Sequence, residues 1–278
     1  MVAFKSSFHA VPLPELPMEL TDYAGKIIDD LLRLHLMLMS VVTDNNSFNK
    51  RIADAHREQR EKQLSYFNEQ TKGKFAPGME PKITFEGPEP GRENAEYTAF
   101  LNETIGGMVL CRAVDLYHWY LKQVVLLVLN ANPGLLRQWA KQLKITNTGE
   151  LDAFEKGQNC EELLTKWFRG AEWKTRQLVH EHMKIPLKED LGILVQVRNC
   201  IVHSLGKDTD GTLEPILKSN SRLVLGITSG HVTVGYNGGD AAIGIVISDV
   251  SIIDQMLARM FALPTTPHNS PPISRAYS

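Results

Sequence analysis

One short stretch of the sequence, VQVRNCIVHS at residues 195–204, places an arginine, an asparagine and a histidine among apolar residues. Arginine binds carboxylates and phosphates through paired N–H groups, and histidine exchanges a proton near neutral pH. On a helical wheel the apolar face consists of Leu191, Leu194, Val197, Ile201 and Leu205. Arg198 falls within that face, whereas Asn199 and His203 lie together beside it. Arg198 and His203 are about 140° apart around the helix axis, so a single regular helix does not stack them.

The charge of Arg198 requires a partner, because a charge on an apolar face is costly unless a carboxylate or a second surface satisfies it. One candidate lies in residues 108–129, where a polar stripe runs along an otherwise apolar helix and consists of Arg112, Asp115, His118 and Lys122. Asp115 could pair with Arg198. Periodicity alone favours the alternative that the stripe is the solvated side of an amphipathic helix. A structural ion pair that is not catalytic is a further alternative for Arg198.

The elements that must position these residues are mainly helical. Apolar periodicity predicts helices over residues 21–42, 49–70, 94–130, 135–143, 161–183 and 186–206. Thr21 is the predicted N-cap of the first helix, and the Gly106–Gly107 pair is a predicted break in the long third one. The period then changes over residues 222–248, which predicts an antiparallel hairpin or a three-stranded sheet with turns at its glycines. Asp249 is expected to cap the last helix.

The chain is expected to divide into three parts. Residues 1–90 comprise a proline-punctuated arm, a helical segment and a linker, since residues 73–91 contain four prolines and four glycines. Residues 91–263 form the main helical domain, and residues 264–278 form a disordered tail.

Composition excludes several classes of protein. Three widely spaced cysteines do not build a disulfide framework or a Cys-x-x-Cys metal site, which indicates a reducing compartment and a cytoplasmic location. The N-terminus has no signal-peptide pattern, and the longest apolar runs read from the sequence are too short or too charged to span a membrane. Histidines at i and i+2 in HEH, residues 180–182, point apart on a helix, so neither a metal nor a cofactor is expected.

The hexapeptide RNCIVH, late in a long helix, resembles the signature of the HEPN superfamily of helical domains. In this signature an arginine is followed at once by a polar residue and, after four intervening positions, by a histidine. The upstream segment LCRAVDLYHWYLKQVVLLVLNANPGLL is similar to the acidic-residue helix of bacterial members, and the hairpin with its final helix resembles their C-terminal extension. The resemblance covers roughly residues 95–263 and implies a helical bundle of HEPN type.

The resemblance implies a metal-independent endoribonuclease that acts as a homodimer, with two copies of the Arg and His meeting across a two-fold axis. A ribose 2′-hydroxyl would attack the adjacent phosphate and leave a 2′,3′-cyclic phosphate and a 5′-hydroxyl. His203 would be the general base or acid, and Arg198 would hold the scissile phosphate. Asn199 would orient the histidine or bind phosphate. Asp115 would fix the arginine, with Arg112 in support, although many members have glutamate at the position of Asp115.

A basic segment at residues 166–188 is a candidate RNA contact, because it contains six Lys or Arg against two Glu. Its predicted phosphate contacts are Lys166, Arg169, Lys174 and Arg176. Three interleaved aromatic residues could stack unpaired bases: Trp167, Phe168 and Trp173. The alternative, slightly favoured, is an amphipathic helix with a solvated basic face and aromatic anchors in the core.

The expected function is that of a toxin or defence effector that cleaves RNA, with an antitoxin or regulatory protein as a possible partner. The rival hypothesis is a non-catalytic HEPN-type module, which would use the same Arg, Asn and His to dimerise or to bind a nucleotide or a partner protein.

Overall fold

Residues 22–71 form one long helix instead of the two that periodicity predicts. The computed structural model describes residues 19–71, 92–141, 144–168 and 172–268, and α1 extends over Asp22–Thr71. Thr21 is its N-cap, as predicted, because the Thr21 hydroxyl accepts a hydrogen bond from the Ala24 N–H at 3.3 Å. The predicted break after residue 42 is wrong. Residues 43–48 contain no glycine or proline, and their Asp, Asn and Ser reduce helix propensity by only about 0.5 kcal/mol each.

The second helix, α2 (Arg92–Ala131), continues through the glycine pair that was predicted to break it. Gly106 instead permits close packing, since a Cβ atom there would overlap the carbonyl oxygens of Val234 and Gly235. Gly239 packs from the other side, where a Cβ would lie 3.1 Å from the Gly106 carbonyl oxygen. These glycines therefore bring two helix backbones together, and Gly239 does not form the predicted turn.

The middle of the chain consists of short helices: α3 (Gly134–Trp139), α4 (Thr148–Glu155), α5 (Cys160–Phe168) and α6 (Glu172–Gln177), which a π-helical turn continues over Leu178–His182. Within the predicted helix over 161–183 the structure describes α5, α6 and the π-helical turn, and α4 was not predicted. The Asn147 side chain caps α4 by accepting hydrogen bonds from the N–H groups of Gly149 and Glu150 at 3.0 and 3.3 Å. This Asn-x-x-Glu pattern is a capping signal that periodicity alone does not detect.

The helix that contains Arg198 and His203 is α7 (Glu189–Ser204). It begins three residues after Pro186, later than predicted, and ends before Gly206, whose φ is +80°. Two short elements follow it, α8 (Leu213–Ser219) and a 3₁₀ turn over Ser221–Leu223.

A two-stranded antiparallel hairpin precedes the last helix, as predicted. It pairs β2 (Leu225–Thr228) with β3 (His231–Val234). The predicted third strand is wrong: residues 241–248 belong to α9 (Tyr236–Phe261), and Asp249 lies in the middle of this helix instead of capping it. The reason is that α9 is buried on nearly all sides, so its apolar run has no amphipathic period to distinguish it from a strand.

The core is built around α2 and α9, with α1 packed against both. The fully buried Tyr117 and Tyr120 of α2 share one hydrophobic cluster with residues Leu20 to Val42 and with α9. The helix α9 is long and apolar enough to cross a membrane, contrary to the expectation from the sequence, but 72% of its most apolar stretch is buried inside the protein. The helix therefore serves here as a core element.

The beginning of α1 is fastened to α9 by a buried carboxylate. Asp254 accepts hydrogen bonds from the Thr21 N–H at 2.8 Å, the Thr21 hydroxyl at 2.6 Å and the Tyr120 hydroxyl at 3.1 Å. Burial raises the pKa of Asp254, and these hydrogen bonds oppose the change. Nearby, β1 (Glu19–Leu20) pairs antiparallel with β4 (Thr266–Pro267), so the first residues of the predicted tail lie against the N-terminal segment. The predicted arm, linker and remaining tail fall outside the described residues.

Candidate functional site

An ion pair between α2 and α7 forms the centre of the candidate site. Arg198 Nε and Nη2 both donate to Asp115 Oδ1, at 2.9 and 2.6 Å. The aspartate therefore reaches the arginine despite its short side chain. The side chain of Arg198 is 13% exposed and that of Asp115 is 40% exposed, so the pair lies at the edge of the core and opens to solvent through the carboxylate.

The polar residue after the arginine belongs to the same network. Asn199 is exposed, and its Oδ1 accepts a hydrogen bond from Arg198 Nη1 at 3.3 Å. Asp115 and Asn199 thus constrain the guanidinium from two directions, which fixes the orientation of its plane. Arg112 is exposed on α2, three residues before Asp115.

The structure does not bring Arg198 and His203 together within one chain. His203 is exposed in the last turn of α7 and, among the described residues, has no hydrogen-bond or ion-pair partner. The two side chains remain on different faces of the helix, as the 140° separation estimated from five residues of regular helix requires. A reaction that uses both groups on one phosphate therefore needs a second copy of the site or a movement of the chain.

Three exposed apolar side chains lie toward the C-terminal end of α7. Arg198 lies beside Asp115 in the middle of α2. Gly206, just after α7, accepts a hydrogen bond from the Val232 N–H at 2.8 Å, and the end of the same strand packs on Gly106, earlier in α2. The helix α7 hence runs antiparallel to α2. The three side chains are those of Met108 on α2, Val202 on α7 and Leu205 directly after α7. Leu205 was predicted on the buried face, but it is 87% exposed because the chain leaves the helix there with a φ of 51°.

Two cysteines near the ion pair are poor nucleophiles. Burial raises the pKa of Cys111, and the Asp115 carboxylate adds to this effect while Arg198 opposes it. Burial also raises the pKa of Cys200, with a further contribution from Asp208. The raised pKa values keep both thiols predominantly protonated at neutral pH, and the thiolate is the form that reacts.

Within the basic segment at residues 166–188, the structure describes one of the three aromatic side chains, that of Trp167. Trp167 is buried, and its indole N–H donates to Glu150 Oε2 at 3.0 Å, so it is a core anchor instead of a stacking platform. Lys166 forms an ion pair with Glu150 at 2.5 Å. Lys174 and Arg176 are half-buried. Arg169 and the side chains of Phe168 and Trp173 lie outside the described residues.

The HEH motif contributes a structural histidine. His180 Nδ1 lies 2.7 Å from the Ile185 carbonyl oxygen and Nε2 lies 2.8 Å from the Tyr117 hydroxyl. Since a carbonyl only accepts, Nδ1 carries the proton and Nε2 accepts from Tyr117. Over the described ranges, no group of three or more His, Cys, Asp or Glu side chains is placed to hold a metal ion.

The environment of His180 predicts a pH dependence of stability. Burial lowers the pKa of His180, so its neutral form is favoured in the folded protein. The unfolded chain takes up a proton first as the pH falls below about 6.5, so the stabilisation is complete above that pH and is lost as the pH falls toward the folded-state value. When the pH is lowered from 7.5 to 5.5, urea unfolding is expected to show a larger decrease in the free energy of unfolding for the wild type than for His180→Gln. An equal loss would show that His180 is not the group responsible.

An aromatic cluster next to the ion pair was missed from the sequence. Trp119 follows Asp115 by one helical turn and is 37% exposed. The edge of the Tyr23 ring lies against it, with ring centroids 6.0 Å apart, and Lys26 Nζ lies 5.6 Å from the centroid of its ring. The i, i+4 spacing from Asp115 was visible in the sequence, but the contribution of α1 was not.

Comparison of the chain with protein-family models, with curated protein sequences and with solved structures finds no significant match.

Proposed function

We propose that this protein is a metal-independent endoribonuclease of the HEPN type, a cytoplasmic toxin or defence effector that works as a homodimer. The observation that carries the proposal is the arrangement on α7. An arginine is fixed by a carboxylate of the neighbouring helix, and five residues later an exposed histidine has no partner among the described residues. An oriented guanidinium can hold a phosphate, and an exposed imidazole can reach a substrate proton.

The chemistry uses only groups of the protein and of the RNA. His203 removes the proton of a ribose 2′-hydroxyl, whose oxygen attacks the adjacent phosphorus and forms the 2′,3′-cyclic phosphate. The bond from phosphorus to the 5′-oxygen breaks, and that oxygen receives a proton. A second copy of His203 can supply it, while Arg198 offsets the negative charge that develops on the phosphate oxygens. Asp115 acts as a positioning residue for Arg198.

A homodimer would supply what the single chain lacks. Two copies of His203 provide the base and the acid, and the exposed Met108, Val202 and Leu205 provide an apolar surface beside the site. Burying such side chains contributes about 25 cal/mol per Å² of apolar surface, which favours association at this end of α7.

The dimer proposal predicts the effect of a charge at its centre. Leu205→Asp is expected to raise the dissociation constant of the dimer at least tenfold, because the interface would bury an unpaired charge. The fold should stay intact, because Leu205 is exposed in the single chain. Sedimentation equilibrium measures the shift, and Leu187→Asp, at another exposed leucine, is the control. A wild type that is monomeric at micromolar concentration would contradict the proposal.

Expression in growing cells tests the function. The wild type is expected to slow growth and fragment cellular RNA, and Arg198→Ala or His203→Ala is expected to relieve both effects. Arg222→Ala is the matched control, because Arg222 is an exposed arginine of the 3₁₀ turn and does not belong to α7. Growth inhibition that persists in both site variants would overturn the assignment of the site.

A second candidate function is a non-catalytic HEPN-type module that dimerises or binds a nucleotide or a partner protein. The limited exposure of the Arg198 side chain and its pairing with Asp115 favour it, since a buried ion pair can be purely structural. A harmless wild type whose Arg198→Ala variant loses dimerisation or nucleotide binding would support this module over the enzyme.

A further inference from the structure

We propose that Trp119, Tyr23 and Lys26 form a binding platform for an unpaired RNA base next to the cleavage site. This inference rests on the proposed function. The three residues come from two helices that pack together, and they lie outside the arginine–histidine motif. We call them the aromatic platform.

The position of the aromatic platform is the first argument. Trp119 and Asp115 are neighbours at i and i+4 on α2, with Cβ atoms about 5–6 Å apart. Asp115 in turn contacts Arg198, the residue proposed to hold the scissile phosphate. A nucleotide adjoining that phosphate would therefore have its base within reach of the Trp119 ring.

The chemistry of the aromatic platform is the second argument. Tryptophan is highly buried on average, whereas Trp119 is exposed. The half-buried Tyr23 supports the Trp119 ring edge-on. Lys26 Nζ lies over the ring, but an exposed cation–π contact is weaker than stacking of a base on an aromatic side chain. A base can thus displace Lys26 from the ring, and the released ammonium group can contact a phosphate.

Lys26 is the cationic part of the aromatic platform. Lys26 has no carboxylate partner among the described residues. Lys26 also lines a depression of about 430 Å³, and each of the three aspartates of this depression lies against a residue other than Lys26. Asp22 accepts from the Thr266 hydroxyl at 2.9 Å, Asp29 lies 3.5 Å from His268, and Asp30 lies 3.5 Å from Arg33. The ammonium group of Lys26 therefore remains available to a phosphate.

Binding by the full chain, made inactive by His203→Ala, tests the inference. Fluorescence anisotropy would compare a labelled single-stranded oligo(A) with a ribose-phosphate oligomer of equal length that lacks bases. Trp119→Ala is expected to weaken oligo(A) binding at least fivefold and to leave the abasic oligomer unaffected, because only the base stacks. Trp119→Phe, which keeps an aromatic face, should retain most of the affinity and guards against misfolding of the alanine variant.

Matched controls separate the contributions. Lys26→Ala should weaken the binding of both oligomers. Lys141→Ala, at another exposed lysine, should leave the binding of both unchanged. Phe100→Ala removes an exposed aromatic residue of the same helix about 28 Å away along its axis, and it should bind like the parent.

The outcomes distinguish this inference from the proposed function. Oligo(A) affinity within twofold of the parent in Trp119→Ala, with RNA binding otherwise intact, overturns the aromatic platform alone. Trp119-dependent binding by a wild type that cleaves no RNA upholds the aromatic platform and overturns the nuclease. A parent that binds neither oligomer overturns both.

Discussion

Replacing His203 by alanine is expected to reduce the rate of RNA cleavage by about 100-fold or more and to change the free energy of unfolding by less than about 0.5 kcal/mol. The large effect on rate follows from the loss of the group proposed to move the proton. The small effect on stability follows from the exposure of His203 and its lack of a hydrogen-bond or ion-pair partner within the described ranges. Single-turnover cleavage and urea unfolding of the same preparation measure the two quantities.

The control for this variant is His231→Ala, which removes another exposed histidine, on β3, and is expected to cleave at the wild-type rate. Asp115→Ala should give an intermediate loss, because Arg198 remains but is no longer held. If His203→Ala cleaved as fast as the wild type, the imidazole would have no part in the reaction and the assignment of its role would be wrong.

Two alanine substitutions at adjacent glycines are expected to have opposite effects on stability. Gly106→Ala should lower the free energy of unfolding by about 2–3 kcal/mol, since its Cβ would meet the carbonyl groups of Val234 and Gly235, which are backbone atoms that cannot rotate away. Gly107→Ala should raise it by up to about 1 kcal/mol, because its Cβ would meet nothing within 4 Å and alanine is the better helix former.

Urea unfolding of both variants compares these effects directly, with equal m-values as the check that the same fold is being unfolded. The contact matters for the beginning of α9 as well, where Asn102 Oδ1 accepts the Tyr236 N–H at 2.6 Å from the same part of α2. Equal stabilities for the two variants would contradict the close packing of α2 against the end of β3.

The candidate ion pair was predictable because burial makes an unpaired charge so costly. Arg198 on an apolar helical face required a carboxylate, and Asp115 was an available carboxylate on a second apolar helix. The first half of α9 was not predictable by the same logic. Its apolar residues cover every face, so the period that distinguishes a helix from a strand is missing.

The roles of two tryptophans depend on residues from other helices. Trp167 had the residue type of a stacking platform, but a carboxylate from another helix, Glu150, holds it in the core. The surface that Trp119 presents depends on Tyr23 and Lys26, which are about 90 residues away in sequence. A pattern within one helix predicts which face is polar and does not predict which distant residues complete that face.

The most direct test of the central claim is to incubate purified protein with end-labelled single-stranded RNA in excess EDTA and to identify the new termini. The wild type is expected to produce 2′,3′-cyclic phosphate and 5′-hydroxyl ends, and the His203→Ala variant is expected to produce none. A folded, dimeric wild type that leaves the RNA intact, or that cuts it only when a divalent metal is restored, would contradict metal-independent cleavage at the helix of Arg198 and His203.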